Sequence, residues 1–160
     1  MKETSATALH PFDSPQQEAY LALWRTYDRL AAFEDELFAS FELTAQQYNL
    51  LRLLQASHPK PAPTLSLVDR LVSRAPDVTR MLDRLEQRGL IGRTRSNEDR
   101  RSVLVSVTKA GLTLLQQIAK PLQACHERQL GHLSQSELKS LIQLLRKARA
   151  PHEPETSRWK

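Results

Sequence analysis

The chain has 160 residues, 40 % of them apolar, and a formal net charge of +5, enough to bury one core without disulfides or metal. Its single cysteine, Cys125, excludes an intrachain disulfide framework and a thiolate metal cluster. No apolar run approaches the ~20 residues of a membrane span, and residues 1–15 hold no signal-peptide core; a soluble, cytoplasmic protein is expected.

Residues 1–13, rich in Ser, Thr, His and Pro, read as a loose arm. A long helix is predicted from Ser14, with Pro15 in its first turn. Leu23, Leu30 and Leu37 recur every seventh residue, and Tyr20, Trp24, Tyr27, Ala31 and Phe38 widen the stripe. A helix that apolar needs a cover, and a second subunit is the expected one. Thr44 with Gln47 forms a capping box for a second helix, buried through Tyr48, Leu51 and Leu54. The three prolines in residues 59–63 end it. Thr64 can cap a short helix over 65–71, with Val68 and Leu71 inward. After a break at 72–75, Pro76 opens a helix running to Arg88 that buries Val78, Leu82 and Leu85, and Gly89 closes it. Strands are expected over 90–95 and 102–107, with Val103, Val105 and Val107 on one face and a polar turn between the two. Thr108 caps a further long helix reaching toward His132 and bent at Pro121. Ser134 with Glu137 caps a last one, and the tail after Ala150 reads as frayed.

Helix, turn, helix and hairpin between Thr64 and Thr108 make a winged helix-turn-helix. The fold class is therefore mainly α with a small β-hairpin wing. Residues 44–107 form a DNA-binding lobe, 14–40 and 108–150 a helical dimerisation region, all in one domain over 14–150, with a flexible tail at 151–160. A helix fits the major groove and brings side chains to base edges, while a hairpin reaches the backbone or the minor groove. On the second helix of the motif, Arg74, Pro76, Asp77, Thr79, Arg80 and Arg84 are the candidate contacts with double-stranded DNA. On the wing they are Arg93, Arg95, Arg100 and Arg101, with Asp99 placed to pair with a wing arginine and fix its direction. Residues 73–101 hold eight arginines against five acidic residues, a local balance of +3 (8 − 5), which suits attraction to phosphate. A solvated basic face explains any one of these arginines but not their clustering on one helix and its hairpin.

Three stretches, LTAQQYNLLRLL, DRLVSRAPDVTRMLDRLEQRGLIGR and NEDRRSVLVSVTKAG, resemble the multiple-antibiotic-resistance regulator (MarR) family. The sharpest signals are Val78-Thr79-Arg80, Leu85 through Gly89-Leu90, Asp99-Arg100-Arg101 and Thr108 through Gly111. The resemblance implies a homodimer with interleaved terminal helices, two winged lobes on a pseudo-palindromic operator, and repression, less often activation, relieved by a small-molecule effector or by oxidation. Trp24, Tyr27 and Tyr48 are candidates to line an effector pocket, although aromatics at this spacing also serve as core. The N-terminal helix lacks the cysteine of redox-sensing members, which leaves only Cys125 for such a switch. Cys125, His126 and His132 lack the partners of a metal site. No catalytic motif and no cofactor site is present in the sequence. The alternatives are a winged-helix protein-interaction module without DNA binding, and a redox-responsive regulator using Cys125.

Overall fold

The computed structural model describes residues 12–72, 77–99 and 101–159. The arm expected over 1–13 lies outside them except for its last two residues, as do Arg74, Pro76 and Arg100. Helix α1, Pro15–Ala39, is ~38 Å long at 1.5 Å per residue. It starts on Ser14, whose hydroxyl accepts the Gln17 N–H at 3.1 Å. Helix α2, Ala45–Ser57, opens on the expected capping box. Thr44 Oγ1 accepts from the Gln47 N–H at 3.2 Å, and the Thr44 N–H donates to Gln47 Oε1 at 2.9 Å. Leu50, Leu51 and Leu54 are buried, while Tyr48 is half-buried and stacks on Phe38 at 4.6 Å.

The proline segment is not all loop. Ala62–Pro63 forms strand β1, which pairs with strand β3, Val103–Val107, placing Ala62 opposite Val105 and Pro63 opposite Leu104. Proline is tolerated there because an edge strand need not donate on its outer side. Helix α3, Thr64–Val68, is shorter than the spacing predicts and is not capped by Thr64. That hydroxyl instead donates to the Val103 carbonyl at 3.1 Å. Leu67 and Leu71 are buried, whereas Val68 is exposed: the chain turns irregularly after Val68, so a strict helical period misplaces the inward residue.

Helix α4, Val78–Gln87, starts two residues later than expected, because Asp77 lies outside it as the N-cap and accepts from the Arg80 N–H at 2.9 Å. Met81 joins Leu82 and Leu85 in the core, and Val78 packs against it half-buried. At the far end Gly89 has φ +68°. The Leu90 N–H donates to Leu85 O and the Gly89 N–H to Glu86 O, a Schellman pair. Leu90 thus belongs to this stop, and strand β2 is Ile91–Arg95. It pairs antiparallel with β3, from Ile91 opposite Val107 to Arg95 opposite Val103. The sheet order β1-β3-β2 puts Val105, fully buried, at its centre.

Helix α5, Lys109–Leu130, runs through Pro121 and stops short of His132. Its N-cap Thr108 is also the joint to α4. The Thr108 hydroxyl donates to the Gly89 carbonyl at 2.6 Å, accepts from the Gly111 N–H at 3.1 Å, and the Thr108 N–H donates to the Leu90 carbonyl at 3.0 Å. Gly111 is required by this approach: a Cβ there would lie 2.4 Å from the Leu90 carbonyl oxygen. Helix α6, Gln135–Arg149, opens on the Ser134–Glu137 capping box and buries no residue. A short 3-10 turn, Ala150–His152, follows. The tail folds back from there, with the Arg149 guanidinium donating to the Trp159 carbonyl at 2.8 and 3.1 Å and pairing with Glu153 at 3.2 Å. Among the described residues no helix is long and apolar enough to cross a membrane.

Replacing Gly111 by alanine gains helix propensity at an ordinary position, yet here it must push apart α5 and the end of α4. Gly111→Ala is expected to destabilise the protein by about 2 kcal/mol, measured by urea unfolding; a gain in stability would show that the joint yields freely.

Candidate nucleic-acid interface

Burial of Val78, Met81, Leu82 and Leu85 turns the opposite arc of α4 outward, where 3.6-residue spacing places Thr79, Arg80, Arg84 and Gln87. All four are exposed. Arg80 Nε lies 3.1 Å from Asp77 Oδ2, so the expected contact residue Asp77 caps the helix and steadies its neighbour. Arg84, Arg95 and Arg101 are exposed and make no ion pair among the described residues. Their guanidinium forks are open to a ligand.

Arg93 is placed differently from the expectation of a wing contact. From the middle of β2 it reaches inward to α4, with Nη2 2.7 Å from Asp83 Oδ1 and Nε 2.9 Å from Glu86 Oε2. Its side chain is 25 % exposed, and its Nε and Nη2 donors are engaged within the protein. Arg93 hydrogen bonds hold the Glu86 carboxyl below its usual range, and the two carboxylates raise the Arg93 pKa. A lowered carboxylate pKa means the pair is fully present above the ordinary glutamate value and is lost only as pH falls through the lowered one.

Asp99 sits in the wing turn, and a pairing with Arg100 would lie outside the described residues. Among the described residues no arginine side chain pairs with it. It accepts from the Arg101 N–H at 3.0 Å, and its own carbonyl accepts from the Ser102 N–H at 2.9 Å. Ser96 Oγ accepts from the N–H groups of Glu98 and Asp99 at 3.2 and 3.3 Å. Asp99 therefore shapes the turn that carries Arg101 through the backbone, as Asx turns do.

A cleft of about 930 Å³ opens between α1, α2 and α5, lined in part by Tyr27, Glu34, Tyr48, Arg52 and His126. An adjoining one of about 740 Å³ shares those five residues and extends to Leu71 and Val72 behind the lobe. His126 Nε2 and Glu34 Oε1 meet across it at 3.1 Å. Tyr27 and Tyr48 line both clefts; Trp24 lines neither and lies beside Tyr20 with ring centroids 6.2 Å apart. Burial pushes the Tyr48 phenol up, so it stays protonated.

Residues 43–103 match the MarR family. A MarR transcription factor from Planctomyces limnophilus has a similar crystal structure, 58 % identical in sequence, with a TM-score of 0.68, covering 84 % of this chain and 98 % of that one. This chain belongs to the MarR family. A MarR family transcriptional regulator from Streptomyces coelicolor, crystallised in complex with DNA, shares the fold at a TM-score of 0.82 over 95 % of this chain and 98 % of its own, at 17 % identity. The HTH-type transcriptional regulator PecS of Dickeya dadantii is 30 % identical over 54 % of this chain, and the match spans 52 % of PecS.

Within this MarR chain the sequence did not reveal Arg88. Its guanidinium donates to the carbonyls of Glu42 and Phe41 at 2.5 and 3.2 Å, tying the end of α4 to the loop before α2. Only the fold brings those carbonyls close, and no local spacing signals them. No metal-holding group of side chains is present among the described residues. Cys125 is 5 % exposed, and burial pushes its thiol up. A thiolate is the reactive species, so Cys125 in the folded protein is expected to resist stoichiometric peroxide and iodoacetamide at pH 7 for hours and to alkylate at once in urea. Rapid oxidation of the folded protein, read by peptide mass spectrometry, would restore the redox alternative.

Proposed function

We propose that this protein is a sequence-specific DNA-binding repressor that acts as a homodimer. The observation carrying this reading is the outward arc of α4, where Thr79, Arg80 and Arg84 stand exposed beside a wing presenting Arg95 and Arg101. The acidic residues of that helix and its cap are engaged by arginines, Asp77 by Arg80 and both Asp83 and Glu86 by Arg93, which lowers repulsion of phosphate. In this reading Arg80 and Arg84 meet guanine edges or phosphate, Thr79 meets phosphate or a thymine methyl, and Arg101 enters the minor groove. The MarR-family membership and the DNA-bound fold relative support it. Arg74, Pro76 and Arg100 remain candidates at the entry to α4 and on the wing.

The dimer rests on apolar surface that the single chain leaves open. Tyr20, Leu23, Trp24 and Tyr27 on α1 are 49–69 % exposed, and α6 presents Ile142 and Leu144 while burying nothing. A second copy covers these faces and sets the α4 helices about one DNA turn, ~34 Å, apart. The Tyr27–Tyr48 cleft lies between the helical region and the lobe, so a small effector bound there changes the lobe spacing by its differential affinity for the two states.

Substitutions on α4, on the wing and on α1 test this reading. Arg80→Ala should cost about 1–3 kcal/mol on the operator and relax base preference, whereas Arg101→Ala should lower the salt slope by about one ion. Fluorescence anisotropy on operator and random duplexes separates the two, and equal losses for Arg80→Ala on both DNAs would remove its base-reading role. For the dimer, Leu23→Arg combined with Trp24→Arg should shift the sedimentation of the protein from two chains to one. Retention of DNA-independent pull-down partners alongside absent DNA binding would favour the interaction-module alternative.

A further inference from the structure

We infer that Arg93 is the positioning residue that sets the angle of the wing on the reading helix, so that operator specificity depends on a side chain touching no nucleic acid. The inference rests on the DNA-binding reading above. The wing is a lever. Its base is fixed where Gly89 and Leu90 meet Thr108, and toward its tip Asn97, Glu98, Asp99 and Arg101 are exposed. Between base and tip, the only side-chain polar tie from the wing to α4 among the described residues is Arg93.

The chemistry of that tie is directional. Asp83 and Glu86 stand at i, i+3 on the flank of α4 nearest β2, and one planar guanidinium engages both, through Nη2 to Asp83 and through Nε and Nη2 to Glu86. Such a fork fixes orientation as well as distance. The backbone behind it is equally fixed, since Arg93 pairs with the fully buried Val105. Partly exposed ion pairs contribute little to global stability: the side chains of Asp83 and Glu86 are 47 % and 38 % exposed. The effect of the fork is therefore on geometry. It holds the wing at the one angle from which Arg101 reaches the groove next to that occupied by α4, and a looser wing pays a conformational penalty before both contacts form.

The test uses the full-length protein, with duplexes selected from a random library by the wild type. Three variants are compared: Arg93→Met, Arg93→Lys, and the neutral triple Asp83→Asn, Glu86→Gln, Arg93→Met. Arg93→Met should leave the thermal midpoint nearly unchanged, raise amide exchange in the wing beyond the tie, residues 94–104, severalfold, and weaken selected-duplex binding about tenfold with little loss on random DNA. Arg93→Lys, a point charge without the fork, should fall between and keeps the test alive should the methionine variant fold poorly. The triple variant should bind as weakly as Arg93→Met. Recovery of wild-type affinity in the triple variant would mean that Arg93 merely neutralises two carboxylates, and the inference would be overturned. Unchanged wing exchange in Arg93→Met would overturn it as well. If the wild type selects no duplex, the DNA-binding reading fails, while the exchange measurement still decides whether Arg93 holds the wing.

Discussion

The geometry of this protein turns on one close approach, that of the Gly89–Leu90 carbonyls to the start of α5. Thr108 closes it with its hydroxyl and its backbone N–H, and Gly111 leaves the space. Through this contact the end of α4, the base of the wing and the first turn of the long helix become one rigid joint. A helix that enters a groove is useful to a regulator only if its direction is tied to the rest of the protein. Here the tie is made of backbone carbonyls, which have no rotamers to lose. Arg88 adds a second tether to the loop before α2. The end of α4, the base of the wing, the start of α5 and the loop before α2 are thereby joined to one another.

Electrostatics on α4 follow a similar economy. The helix carries Asp83 and Glu86, with Asp77 at its cap, all unsuited to a phosphate-facing surface. Each is drawn into a pair with an arginine, Asp77 with the exposed Arg80 and the other two with Arg93, and Arg84, Arg95 and Arg101 stay exposed with no ion pair among the described residues. Counting charges along the sequence gives the right sign for the surface but cannot say which arginines supply it.

Much of the fold was legible because its signals are local. The capping boxes at Thr44 and Ser134, the proline-started α1, the glycine stop at Gly89 and the alternation of Val103, Val105 and Val107 each need only neighbouring residues. What stayed hidden depends on distant partners. Strand β1 exists because β3 offers it a free edge, and Thr64 spends its hydroxyl on Val103, 39 residues away. The divided roles of the wing arginines belong to the same class: Arg93 and Arg95 lie two residues apart on one strand, yet only Arg93 stands opposite two carboxylates. At the cleft, Tyr27 and Tyr48 were within reach of a sequence reading, whereas the Glu34–His126 contact joins residues 92 positions apart.

The two-residue strand β1 has a consequence for how these molecules can associate. A small sheet with an open rim invites a neighbour to continue its ladder. Here one rim is only Ala62 and Pro63, and proline offers no N–H to an incoming strand. The other rim, β2, carries Arg93 and Arg95 and is short. Strand-by-strand growth is thus discouraged on both sides of the sheet. The broader exposed apolar surface lies instead on the helices, at Tyr20, Leu23 and Trp24 of α1 and Ile142 and Leu144 of α6.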